Sequence, residues 1–287
     1  MLDQLINSAV FHKWPVDLLR IVDEYGASFT FYVLGDYQGV GLSQHIYECK
    51  DNILRPLTVV PTPRRYPAIV RVERYLYVLC GNVDSLVERF DLKTSKWCIM
   101  PPVPLRVDHA MAAVLGSKIY LAGTGCELFI YDTIGDKWTT GPSLTRDSRE
   151  EFTVAGSRLF AIGHCGTFYL EDKTWIQAVT KHYHDCCRFA SMRDELIFGF
   201  SCEPVSSSLS IYSIANRRWY LTGEPILPPR TLALTYDGFD ECLYAITRST
   251  MWRIPCKKII DCWEFGSPSL IMQFPSCALN GFNTLFV

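Results

Sequence analysis

Between residues 75 and 138 one pattern is written twice. Tyr75-Leu-Tyr-Val-Leu-Cys-Gly81 is an apolar run closed by glycine. After it come Leu86-Val-Glu-Arg-Phe90-Asp91, five residues, Trp97, a link with Pro101, Pro102 and Pro104, and Arg106. The order returns as Lys118-Ile-Tyr-Leu-Ala-Gly123, Leu128-Phe-Ile-Tyr131-Asp132, five residues, Trp138, Pro142 and Arg146. Self-similarity at about forty residues constrains the fold more than local propensity does, because such a unit cannot bury its apolar faces alone and must stack on copies of itself.

Further copies run through the chain. They are Phe29-Thr-Phe-Tyr-Val-Leu-Gly35 with His45-Ile-Tyr47-Glu48; Arg158–Gly163 with Phe168-Tyr169 and Trp175; Glu195–Gly199 with Ile211-Tyr212 and Trp219; and Cys242–Thr247 with Met251-Trp252 and Trp263. With Leu54 standing where the first copy lacks tryptophan, positions 54, 97, 138, 175, 219 and 263 are separated by 43, 41, 37, 44 and 44 residues, which makes six repeats. Each repeat reads as four short antiparallel strands: a is small and apolar (Ala110-Met-Ala-Ala-Val114), b ends in glycine, c ends in the aromatic and d carries the tryptophan. Sheets this thin pack face to face around an axis, with the large aromatics filling the gaps between neighbours.

Composition narrows the function classes. At 48% hydrophobic and 13% aromatic, the chain has ample material for a continuous core. A net charge of −2 with both signs scattered makes no electrostatic case for nucleic acid or an anionic membrane. No run approaches the length needed to cross a bilayer, and Met1-Leu-Asp-Gln-Leu-Ile lacks the basic-then-apolar order of a secretory signal. The twelve cysteines then read as mostly reduced, small apolar residues in a cytoplasmic or nuclear compartment.

Strand, glycine, aromatic-Asp, tryptophan and a proline-and-arginine link resemble the kelch-repeat β-propellers from Phe29 onward. Departures are the single glycine in place of the family's doublet (Cys80-Gly81, Ala122-Gly123), Thr247 in place of glycine in the last copy, and the short span from Tyr169 to Trp175. The expected fold is therefore all-β: a six-bladed kelch-type propeller over 27–287, preceded by a short helical segment over 1–26. Leu2, Leu5, Ile6, Ala9 and Val10, then Val16, Leu18, Leu19, Ile21 and Val22, recur at helical spacing, as a cap on the ring or a docking segment. Ser276-Cys-Ala-Leu279 matches an a strand and is expected to complete the first blade; Asn283–Val287 either closes that blade or begins another b strand, which would compete with Phe29–Leu34.

In an a-b-c-d blade the b–c and d–a connections emerge on one face. The d–a links carry Arg64, Arg65, Arg106, Arg146, Arg149, Arg188 and Arg230, whose guanidinium forks suit carboxylates or phosphates. The plainer role for any one of them is bonding loop carbonyls or pairing with Asp108, Asp147 or Glu150. Among the longest b–c loops, Tyr37 and Glu203 are contact candidates. His164, His182, His184 and Cys186 form a weak metal-type cluster without a Cys-x-x-Cys pair, so no cofactor is expected. No Gly-x-Ser-x-Gly nucleophile motif occurs, which argues against an enzyme.

The resemblance implies a non-catalytic interaction module taking a protein or acidic-peptide partner. A ubiquitin-ligase adaptor is the leading form, because the repeats look like those of BTB-kelch proteins, although no BTB domain precedes them in this sequence. An actin-associated scaffold is the alternative, and a metal-dependent propeller enzyme a more distant one.

Overall fold

A computed structural model describes residues 30–36, 43–50, 53–65, 67–81, 85–123, 127–143, 151–163, 166–179, 188–192, 196–200, 209–222, 226–229, 231, 233–237, 241–247, 250–259, 262–273 and 283–285. Every regular element among them is a strand. The expected helices over 1–26 lie outside the described residues, as does Ser276–Leu279.

The strands form six antiparallel sheets. The first contains β1 (Thr30–Asp36), β2 (Ser43–Lys50) and β3 (Ile53–Arg64). The second is β4 (Ala68–Val72), β5 (Tyr75–Leu79), β6 (Val87–Asp91) and β7 (Lys96–Met100). The third is β8 (Met111–Leu115), β9 (Lys118–Ala122), β10 (Phe129–Asp132) and β11 (Lys137–Thr140). The fourth is β12 (Glu151–Ala155), β13 (Arg158–Gly163), β14 (Gly166–Glu171) and β15 (Thr174–Val179). The fifth is β16 (Arg188–Met192), β17 (Leu196–Phe200), β18 (Leu209–Ser213) and β19 (Arg218–Leu221). The sixth is β20 (Ala233–Asp237), β21 (Cys242–Ile246), β22 (Thr250–Ile259), β23 (Cys262–Phe265) and β24 (Ser269–Gln273). Finally β25 (Asn283–Leu285) pairs antiparallel with β1, so the strand beside β1 is Asn283–Leu285. First strands of successive sheets lie side by side in the order β25, β4, β8, β12, β16, β20, giving a propeller-like ring.

The aromatic pattern explains why the sheets hold together. Trp97 packs tilted against Phe90 (5.1 Å), Trp138 against Tyr131 (4.9 Å) and Trp219 against Tyr212 (5.3 Å), each pair being direct register partners on strands c and d. Each indole N–H then reaches back to the preceding sheet or the link that leaves it: Trp97 donates to Thr58 Oγ1 (3.0 Å), Trp138 to the Pro101 carbonyl (2.9 Å) and Trp219 to Thr167 Oγ1 (2.9 Å). Tyr77 meets Tyr131 edge-on (6.1 Å) and Phe160 meets Tyr212 (6.1 Å) across the same seams that Trp138 and Trp219 span. A buried aromatic pair of this kind contributes about 1 kcal/mol beyond the area it removes from water.

The short fourth repeat has a local cause. Asp172 and Lys173 both have positive φ (46° and 66°), the signature of a two-residue type I′ hairpin, where the second and third sheets use longer turns capped by Asp91 and Asp132. The lost residues shift strand d, so Trp175 pairs with Leu170 instead of Tyr169. It stacks on Phe152 of strand a (5.9 Å) and donates to the Pro142 carbonyl (2.8 Å), keeping its place in the seam. The sixth sheet departs further. β22 pairs with β24 over Thr250–Arg253 and with β23 over Cys256–Ile259, so Trp263 sits on a hairpin beyond the position its spacing implies.

Cys49, Cys80, Cys98, Cys242 and Cys256 are free, and of these five only Cys98 is exposed. Burial pushes the thiols of Cys49, Cys80 and Cys256 up to about 12, so they behave as small apolar fillers.

The glycine ending strand b is required by close packing. A Cβ on Gly123 would lie 2.4 Å from the Asp108 carbonyl oxygen, and one on Gly81 would lie 2.6 Å from that of Arg65. Gly116 has positive φ (60°) but open space around it. Gly123→Ala is therefore expected to cost roughly 2–3 kcal/mol and Gly116→Ala about 1 kcal/mol. Thermal melts of the two variants check this order, and equal losses would refute the packing role of Gly123.

Candidate functional site

The close approach at Gly81 and Gly123 brings each d–a link against the end of strand b, so links and b–c loop stems share one face as the strand order requires. Within the second sheet the stem is closed by Cys80 N–H donating to the Leu86 carbonyl (2.9 Å). On this face Arg65 is exposed. Arg106 has 60% of its side chain exposed and pairs through Nε with Asp108 Oδ1 at 3.1 Å, itself 45% exposed. An ion pair this open holds its guanidinium by at most about 1 kcal/mol, so an arriving carboxylate or phosphate can compete for it. Leu105, 54% exposed, stands next in the chain.

Arg64 is a correction to the expected set. Its side chain is fully buried, and Nη2 pairs with Glu88, also buried. Nη1 donates to the carbonyls of Val78 (3.1 Å), Cys80 (3.3 Å) and Leu86 (2.8 Å), and Nε donates to that of Thr62 (3.4 Å). The remaining oxygen of Glu88 accepts from Thr62 Oγ1 (3.1 Å). Burial pushes the Arg64 guanidinium down and Glu88 pulls it back up, with a net lowering. No part of this side chain faces a partner; it fills the plainer role of bonding loop carbonyls. The neighbouring positions explain why. At Gly81 the adjacent link residues are Arg64 and Arg65, and at Gly123 they are Val107 and Asp108, so Val107 occupies the inward place of Arg64 and Arg106 stands one residue earlier.

Glu88 was missed by sequence reasoning. The available signal is an acid inside the apolar c strand, two residues before Phe90, where the third repeat has buried Phe129 two residues before Tyr131. The backbone of Arg188 opens β16 and pairs with Phe200. Arg146, Arg149, Arg230, Tyr37 and Glu203 lie outside the described residues, as do His164, His182, His184 and Cys186. Among the described residues no group of three His, Cys, Asp or Glu side chains is placed to hold a metal ion, and no helix is long and apolar enough to cross a membrane.

Replacing Arg64 with Met leaves Glu88 buried without its cation and is expected to cost about 3–5 kcal/mol, whereas Arg106→Met stays within about 0.5 kcal/mol of the parent. Denaturant unfolding of both variants measures the difference. Comparable losses would return Arg64 to the set of surface arginines.

No protein-family model matches the chain. It is 24% identical over 187 residues to Kelch domain-containing protein 7A of Mus musculus, covering 61% of this chain and 23% of that protein. It is 28% identical over 109 residues to Kelch-like protein terF of Aspergillus terreus, covering 31% of this chain and 24% of the relative. The matched stretches thus span about a quarter of these curated relatives. Among solved structures, one titled "Structure of YjhT" superposes with a TM-score of 0.55 at 10% identity, over 69% of this chain and 75% of that one, a likeness of fold alone. The repeat pattern, the ring order of the sheets and the kelch relatives agree: the chain forms a kelch-repeat β-propeller.

Proposed function

We propose that the six sheets close into a six-bladed ring that works as a non-catalytic, cytoplasmic protein-interaction module. Its partner is an acidic or phosphorylated peptide segment that docks on the link-bearing face. The observation carrying this reading is the division of labour between Arg64 and Arg106. One guanidinium is consumed inside the protein, while its neighbour in the next repeat stands exposed beside a carboxylate it can exchange. A rigid ring presents Arg65 and Arg106, with Arg146, Arg149, Arg188 and Arg230 from other links, at little ordering cost to itself. Tyr37 and Glu203 on b–c loops would supply further contacts. The likeness to kelch proteins supports substrate recognition for a ubiquitin ligase as the leading use.

The experiment is affinity purification or proximity labelling of the intact chain in its own cells, alongside Arg106→Ala and Arg230→Ala. Recovery of cullin-complex subunits, with partner capture lost in the variants and melting temperature nearly unchanged, is the expected result. Recovery of actin alone would replace the adaptor reading with a scaffold, and stoichiometric zinc or copper lost in His184→Ala would overturn the non-catalytic one.

Ring closure has its own test. Removing residues 283–287 strips β25 from β1 and leaves an open edge. A fall in melting temperature by several degrees with increased aggregation is expected, and an unchanged melt would mean that β25 does not complete the first blade.

A further inference from the structure

Arg64 touches both connections that build the candidate face. It belongs to the link that carries Arg65, and its Nη1 reaches Cys80 and Leu86, the residues on either side of the second sheet's b–c loop. The Leu86 carbonyl receives the Arg64 guanidinium and the Cys80 amide together. Glu88 anchors the guanidinium from strand c, and Thr62 braces Glu88 from the end of β3. One buried fork thus ties the last strand of the first sheet to strands b and c of the second.

The third sheet shows that stability alone does not demand this arrangement. There Val107 and Phe129 hold the corresponding positions, buried in one apolar cluster. An apolar pair fills the volume but has no donors to bind the loop stem. Buried ion pairs are often replaceable by apolar residues of similar volume without loss of stability, so the retained charge suggests a role beyond packing.

We propose that Arg64 and Glu88 are a buried positioning pair that locks the b–c loop stem and the d–a link of the second sheet together, and so fixes where Arg65 is presented. The functional meaning of that lock rests on the face being a binding surface; the lock itself is testable without a partner. Hydrogen exchange followed by mass spectrometry on the full chain reads it. In Arg64→Val/Glu88→Phe, which copies the apolar pair of the third sheet, the melting temperature should stay within a few degrees of the parent. Amides over 80–86 should exchange about tenfold faster, and the fourth to sixth sheets should be unchanged. Arg64→Lys keeps a charge beside Glu88 but lacks the fork, and should loosen the same amides; it carries the test by itself if the double variant does not fold. Unchanged exchange over 80–86, or acceleration spread evenly over all sheets, would overturn the proposal. So would a double variant that folds but melts as low as Arg64→Met, because the apolar pair would then be no substitute. Loss of partner binding in Arg106→Ala with no loop effect in these variants would leave the face a binding surface and remove only the lock.

Discussion

The seam between one sheet and the next is the contact on which everything else depends. A four-stranded sheet with apolar residues on both faces has no stable existence in water until both are covered, and in a ring each sheet is covered by its neighbours. Strand d supplies an indole for this purpose, large enough to reach across the gap and provided with one N–H that must find an acceptor when buried. Trp97, Trp138, Trp175 and Trp219 each find theirs on the preceding sheet or the link leaving it. Packing and hydrogen bonding therefore specify the same neighbour, which discourages slippage among similar units.

The seams are not all built alike. Between the second and third sheets the upper layer is apolar, with Val107 and Phe129 in one cluster with Leu79, Val87 and Met100. Where the first sheet meets the second, the equivalent layer holds Arg64, Glu88 and Thr62 in a satisfied network. Such a network adds little net stability, because desolvating two charges offsets most of their attraction, but it tolerates few alternative geometries. The same layer sits directly beneath the face where Arg65 and Arg106 are exposed. A scaffold that is stiff just below its connections can vary those connections without losing their placement.

Much of the ring was legible in the residues. Strand b over Tyr75–Leu79, strand c over Val87–Asp91 and strand d around Trp97 follow from an apolar run, an aromatic-acid ending and a fixed spacing. Glycine at the end of strand b was legible as a recurring position, and the structure supplies the carbonyl oxygens it packs against, those of Arg65 at Gly81 and Asp108 at Gly123. Other features had no local signal. The one-residue shift that pairs Trp175 with Leu170 arises from the conformation of the Asp172-Lys173 turn, and a shortened span alone does not say which partner results. The divided outer strand of the sixth sheet depends on which part of β22 finds β23 and which finds β24.

Periodicity by itself determined the class of architecture, because units too thin to bury their own surfaces can only stack. Pairing of distant strands decided that Asn283–Leu285 lies beside β1, since the residues leave open whether that segment closes the first blade or begins another strand b, and only three-dimensional register distinguishes the two. The arginines make the same point at the level of the site. Their residue type marked the links as cationic, but whether a guanidinium turns inward or outward depends on its place relative to the glycine it passes and on a carboxylate one strand away. Arg64 meets Glu88 and is buried, while Arg106, one position earlier on its link, stands exposed beside Asp108.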